Sequence, residues 1–391
     1  MMQDFGSWPE FGQEEEDAVV RALRSGRVNY WTGEEGRMFE VEFATFCNTE
    51  HAVALTNGTV ALEIALRALE IGPGDEVVVT PRTFIASVSA IVMLGATPVF
   101  ADVDVDSQNI TPDTVAEVLT DRTRAIIAVH LAGWPCDMDG LMALAFKHDL
   151  YVVEDCAQSH GALYKDKPVG GLGHVAAWSF CQDKIMTTGG EGGMLTTSDQ
   201  TIWERVWSFK DHGKSWYAVY NREHAAGFRW LHESFGTNAR MTEMQAAIGR
   251  IQLQKMHDWN RKRRSNALIL EESFQDIPAF RVTKAPESIR HAYYKYYVFV
   301  KQEMLRSGWD RDKIIDAVTK MGVPCFSGSC PEIYLEKAFE GTGLRPDERL
   351  PVARALGETS LMFQVHPTLS VDDMHAICQA VCKVMRQASL A

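Results

Sequence analysis

A mostly parallel α/β sheet, followed by a smaller C-terminal α+β domain, is the architecture this 391-residue sequence predicts. Three observations predict it. Short β-branched runs between residues 76 and 198 are apolar almost throughout, as strands covered on both faces must be. Helical stretches fall between several of these runs, the alternation of βαβ units. Beyond about residue 265 the texture changes to an alternating strand and further helices.

Residues 14–25, EEEDAVVRALRS, have helical spacing and stop at Gly26. A second helix over 59–70, TVALEIALRALE, ends in IGPGDE, where Gly72 and Gly74 are stop signals. Strands are then predicted at EVVVTP (76–81), TPVFADV (97–103), RAIIAVHLAG (124–133), LYVVEDCA (150–157), VAAWSF (175–180) and GGMLTTS (192–198). Helices between them are predicted over 84–95, 111–120 and 137–149. A long helix is expected over 241–263, and HAYYKYYVFV (291–300) alternates like an antiparallel strand. Helices over 310–321 and 371–387 complete the chain. The predicted domains are residues 1–260 and 261–391. Ligands of such a sheet bind beyond the carboxyl ends of its strands.

Composition excludes several classes. The formal net charge of −13 argues against nucleic acid as a partner. The one basic run, NRKRRSN (260–266), reads as a solvated helix face. No apolar run of about 18 residues is present, so no membrane span is expected. The acidic start, MMQDFGSWPEFGQEEEDAVV, is not a secretory signal, and a cytoplasmic location is expected. The eight cysteines form no CxxC pair and read as reduced thiols. No HExxH or close histidine cluster occurs among twelve histidines, so no metal is expected.

The chemistry-bearing candidates sit at strand ends and one helix start. In LYVVEDCAQSHG, four apolar residues lead to Glu154 and Asp155. An acid there is a cap, a solvated group, or a partner for a cationic ligand nitrogen. Gln158 follows and offers an amide to the same ligand. In TNGTVALEIAL, Gly58 permits close backbone approach and Thr59 offers a hydroxyl where a helix begins, a place that favours anions. Ser179 ends the strand VAAWSF, and Phe84 stands just past EVVVT, able to lie against a planar ring. In SFCQDKIMTTGGEGGML (179–195), Lys184 precedes four glycines in five positions. Its amine is solvated, holds a phosphate, or joins a cofactor covalently. A carbonyl cofactor with a phosphate and a pyridine nitrogen needs an amine, a carboxylate, a stacking surface and an anion nest. Lys184, Asp155, Phe84 and the group Gly58, Thr59 and Ser179 meet that list. GGLGHV (170–175) lacks the strand and helix that a dinucleotide loop requires.

The order of ALTNGTVALEIALRALEIGPGDEVVVTPRTFIAS, VFADVD, VVEDCAQSHGA, SFCQDKIMTTGGEGGML and GTNARMTEMQAAIGRIQL resembles the DegT/DnrJ/EryC1/StrS family of sugar aminotransferases. The resemblance runs from about Phe11 to the C-terminal helix. It implies the aspartate-aminotransferase type I fold, with a large domain that binds pyridoxal 5′-phosphate, PLP, which cycles through its aminated form. It implies that Lys184 joins the cofactor and later moves a proton. By the same resemblance Asp155 binds the pyridine nitrogen, Gln158 the phenolic oxygen, and Phe84 stacks on the ring. Gly58, Thr59 and Ser179 would hold the phosphate, with Asn238 of a second subunit, so a homodimer with shared sites is implied. His160, and His291 with Tyr293, match positions near the site and the sugar nucleotide. Two departures stand out: TTGGEGG where the family commonly has TGEGG, and the triplet CQD before Lys184.

The expected reaction moves an amino group from glutamate to a nucleotide-linked keto sugar, at C4, for surface glycan or polysaccharide synthesis. The run DKIMTTGGEGG resembles the C4-aminating branch, whereas C3 enzymes often carry GKNLG. Alternatives are amination at C3, a sugar dehydratase using the aminated cofactor, which Lys184 disfavours, and a non-catalytic regulator.

Overall fold

The computed structural model describes residues 5–390. Two helices, α1 (Gln13–Arg24) and α2 (Glu35–Cys47), precede β1 (His51–Leu55) and α3 (Gly58–Ala68). Strand β2 (Glu76–Val79), helix α4 (Ala86–Met93), β3 (Thr97–Phe100), α5 (Pro112–Ala116), β4 (Thr123–Val129), α6 (Met138–His148) and β5 (Tyr151–Asp155) follow in alternation. A short ribbon, β6 (Leu163–Tyr164) and β7 (Lys167–Pro168), leads to β8 (Val175–Ser179) and β9 (Gly193–Thr197). Helices α7 (Gln200–Lys210), α8 (Trp216–Tyr220) and α9 (Glu243–Phe274) come next. The rest is β10 (Phe280–Arg281), β11 (Ile289–Arg290), β12 (Tyr296–Val300), α10 (Arg311–Lys320), α11 (Pro351–Thr359), β13 (Ser360–Phe363) and α12 (Val371–Ala388). No helix of the described residues is long and apolar enough to cross a membrane.

Seven strands form the main sheet in the order β1-β9-β8-β5-β4-β2-β3. All neighbours are parallel except at β9, which runs antiparallel to β1 and β8. The pleat explains the unbroken apolar runs. Val77, Val79, Ile127 and Val153 enter one core with α3 and α4, while Val78, Ile126 and Val152 enter another on the opposite face. Helices α2, α7, α8 and α11 had no counterpart in the sequence expectation. Helix α2 lacks a side-chain cap at its start, so its boundary carries no local signal.

A further core lies on the three-stranded antiparallel sheet β10-β12-β13, covered by α10, α12 and the end of α9. Helix α9 starts with the Thr242–Gln245 capping box and runs 32 residues, past the expected end at 263 and across the expected boundary at 260/261. Its first half packs Ala246 and Met256 against Phe39 and Phe180; its second half packs Ala267, Leu270 and Phe274 into the other core. The basic run is therefore not a simple solvated face: Asn260, Arg263 and Asn266 are buried, while Arg261 and Ser265 face water. Helical period, which charge counting ignores, sorts them.

Strand β12 begins at Tyr296, five residues later than the alternation suggested. Residues 291–294 instead dock on the loop after β4: Ala292 N–H donates to Gly133 O (2.9 Å) and Tyr294 N–H to Ala132 O (2.8 Å). Tyr293 takes φ of +49°, which breaks the extended run.

Candidate active site

The candidate residues gather where β5 and β8 end and α3 begins. Asn57 caps α3 by accepting from Val60 N–H (2.9 Å), which leaves the first amides of the helix without intrahelical partners. Gly58 is required by a close approach: a Cβ there would lie 2.6 Å from Ser179 Cβ. A larger residue would push the helix start away from the strand end, so Gly58, Thr59 and Ser179 form one anion-ready corner. Ser179 is nearly buried, and Thr59 is exposed.

Asp155 lies beside this corner, because β5 pairs with β8 in register Asp155↔Ala177. Its Oδ2 accepts from Ser87 Oγ (2.8 Å) and its Oδ1 from Ala157 N–H (3.1 Å). Thr83 Oγ1 donates to Ser87 (2.9 Å), since the Ser87 proton is committed to Asp155. The carboxylate is 6% exposed, with one donor on each oxygen and capacity left for another. Gln158 is oriented by Ala132 N–H, which donates to its Oε1 (2.8 Å); its Nε2 has no partner among the described residues.

Lys184 sits on the loop after β8. Its N–H donates to Cys181 O (3.0 Å), and its carbonyl accepts from Trp8 Nε1 (2.7 Å). The amine lies 3.8 Å from Asp183 Oδ1 and 5.1 Å from the Tyr294 ring centroid. Phe84, past β2, is 67% exposed, an apolar ring left outside the core of this chain.

The remaining candidates are placed differently. His160 is fully buried between Trp178 (5.1 Å) and Phe180 (5.7 Å), with neither ring nitrogen partnered. Burial first, and then nearby Lys184 and Arg263, push its pKa down to about 3, so the ring is neutral. It underlies the Lys184 loop and faces no open space. His291 stacks on Tyr293 with centroids 4.0 Å apart, and its Nδ1 accepts from Tyr293 N–H (2.8 Å). Burial lowers its pKa to about 3 as well. This pair borders a hollow of about 360 Å³ also lined by Arg264 and Arg290. Asn238 is exposed, and its backbone bridges Asp211. Asp211 is buried and anchors that segment through Arg240 (2.9 Å), Lys214 (3.0 Å) and Trp31 Nε1 (2.7 Å).

Ser87, Asp183, Tyr294 and Trp8 carry no signal in the sequence, since each acts through a partner distant in the chain, and Thr83 joins the site only through Ser87. One grouping also looks like a metal centre: His130, Glu154 and Cys156 bring donor atoms within 4.8 Å of one another. The contacts of His130 and Glu154 are already committed. His130 Nδ1 accepts from Cys136 N–H (3.0 Å), so its Nε2–H donates to Glu154 (3.0 Å). The remaining lone pairs of Glu154 take Gly170, Leu172 and Gly173 N–H at 2.8–2.9 Å. Burial opposes the charge, but His130 and these amides outweigh it and hold the carboxyl below its usual range.

A phosphate, a ring nitrogen and an aldehyde thus find matching groups at the β5–β8 end: the Gly58 corner, a part-satisfied buried carboxylate and an amine. Residues 9–382 match the DegT/DnrJ/EryC1/StrS aminotransferase family. The crystal structure of an aminotransferase from Psychrobacter cryohalolentis is similar with a TM-score of 0.97 and 59% identity, covering 98% of this chain and 99% of that one. The spore coat polysaccharide biosynthesis protein SpsC of Bacillus subtilis is 34% identical over 98% of this chain and 97% of its own. The dTDP-3-amino-3,4,6-trideoxy-α-D-glucose transaminase of Streptomyces venezuelae is 35% identical over 96% of this chain and 93% of its own. The chain belongs to the DegT/DnrJ/EryC1/StrS aminotransferase family and is a PLP-dependent sugar aminotransferase with the fold of that class.

Proposed function

We propose that this enzyme transfers an amino group from glutamate to C4 of a nucleotide-linked keto sugar, with Lys184 as its catalytic residue, in the cytoplasm and for surface glycan or polysaccharide synthesis. The observation that carries the reading is the assembly of Asp155, the Gly58–Thr59–Ser179 corner and the Lys184 loop at adjoining ends of β5, β8 and α3. Bound there, PLP supplies an aldehyde that accepts the donor's nitrogen and a ring that draws in electrons.

The chain's own groups then have distinct tasks. Lys184 Nζ, the amine that would hold the cofactor, would take the proton from the donor's α-carbon and later give one to the sugar carbon. Asp155, fixed by Ser87 and Ala157, would balance the positive ring nitrogen. Gly58, Thr59 and Ser179 would bind the phosphate. Phe84 would cover the ring, and Gln158 Nε2–H would serve the phenolic oxygen. His291 and Tyr293 face the nucleotide sugar. His160 supports the Lys184 loop from beneath, consistent with its burial.

Members of the family act at C3 or at C4 of different sugars. C4 is preferred here on the residues around Lys184. A homodimer is preferred because Asn238 is exposed and the segment before it carries exposed Phe228, Trp230 and Phe235, apolar surface suited to a second copy. Incubation with glutamate and matched 3-keto and 4-keto nucleotide sugars, read by NMR, tests the position. Nitrogen at C3 overturns the C4 assignment, and a monomer with full activity overturns the shared site.

A further inference from the structure

The triplet Cys181-Gln182-Asp183 is where this sequence departs from the usual run before the lysine, and the structure gives its last residue a definite setting. Asp183 accepts a hydrogen bond from the Tyr294 hydroxyl, from a residue 111 positions away. Its other oxygen lies 3.8 Å from Lys184 Nζ. The amines of Lys184 and Lys295 lie 5.1 and 4.7 Å from the centroid of the same Tyr294 ring. Tyr294 is buried and tied to Ala132 O, and the Lys184 main chain is tied to Trp8, so neither end of this arrangement is loose.

We infer that Asp183 and Lys295, gathered around Tyr294, are positioning residues that seat the Lys184 amine and set its charge balance from opposite directions. The inference rests on the reading of Lys184 as the cofactor lysine. Such an amine has to hold a proton at one stage and be free of it at another, and in the structure it is flanked by groups of opposite sign around one ring.

The other charged or titratable groups turned toward this place do not supply the carboxylate's role. His160 from beneath and His366 from the loop after β13 are both neutral, with pKa pushed down to about 3 mainly by burial. Arg263 from α9 is pushed down to about 9 by burial and remains a cation. Lys295 is lowered to about 8, by burial first, with Asp183 opposing and Arg263 and Lys184 adding to the shift. Burial opposes ionisation of Asp183, yet Lys184, the Tyr294 hydroxyl and Lys295 hold its carboxyl below the usual range. Among these groups Asp183 is the one anion.

The test uses the full chain freed of cofactor. Trinitrobenzenesulfonate labels unprotonated amines, and peptide mass spectrometry gives the rate at Lys184 alone. Asp183→Asn keeps an oxygen for Tyr294 but loses the charge, and labels roughly fivefold faster at neutral pH. Lys295→Met removes the opposing charge and labels roughly threefold slower. Equal rates, or shifts in the same direction, overturn the inference. If Asp183→Asn does not fold, judged by circular dichroism, the direction found for Lys295→Met decides. Separately, borohydride treatment of the PLP-loaded unaltered chain has to fix the cofactor on Lys184. A mark elsewhere overturns the reading of Lys184 itself, whatever the labelling rates show.

Discussion

Glu154 and Asp155 are consecutive acids on β5, and the pleat sends them into two differently built regions. On the Glu154 side every acceptor position is filled: two donors reach each oxygen, from His130 and three loop amides. On the Asp155 side each oxygen has one donor, and the carboxylate borders the Gly58–Ser179 corner. Both acids are buried, 0% and 6% exposed. What separates them is the count of unmet acceptor positions. A saturated buried carboxylate organises the protein; one held firmly but incompletely is poised for a ligand.

The sharpest way to break this contrast is to neutralise each acid in turn. Asp155→Asn should lower transamination by about 10³-fold, since a charge aimed at the reacting ring is lost, while the melting temperature stays close to that of the unaltered enzyme. Initial rates and calorimetry check both halves. Glu154→Gln should do the reverse. It replaces one oxygen by an NH2 that can only donate, so the two buried N–H groups that oxygen accepted lose their partner, at about 3 kcal/mol of stability, read from urea unfolding.

A pH series sharpens the same point. The folded state holds Glu154 below the usual carboxyl range, so its contribution is complete above the unfolded carboxyl's range and is lost as pH falls through the lower, folded value. Urea midpoints should therefore drop on the acid side, and Glu154→Gln should flatten that drop. The smallest effect is expected for Ser87→Ala. It removes one hydroxyl from Asp155 and should weaken PLP binding roughly tenfold, about 1.4 kcal/mol, measured by titration of the cofactor-free chain. An unchanged PLP affinity would mean that Ala157 N–H alone fixes the carboxylate.

The parts of the site legible in the sequence were those defined by position along the chain. Asp155 and Ser179 end apolar runs, Gly58 and Thr59 open a helix, and Lys184 precedes a glycine loop, so each can be read within its own segment. The parts that stayed hidden are pairwise. Ser87 meets Asp155 across 68 positions, His130 meets Glu154 across 24, and Tyr294 meets Asp183 across 111. Local sequence carries no mark of such partners. His160 shows the same limit: its motif places it near the site, while Trp178 and Phe180 close over it.

By itself the sequence determined the alternation of buried strands and helices, the strand ends at which chemistry is placed, and the family whose motifs it carries. Hydrophobic period and turn residues are properties of neighbours along the chain, which is why they survive without coordinates. Only the tertiary structure decided that α9 crosses from one core into the other, that three of the seven residues of the basic run are buried, and which of two adjacent acids is saturated. Those outcomes depend on which distant groups arrive within about 3 Å, the reach of a hydrogen bond, and that reach is set by packing in three dimensions.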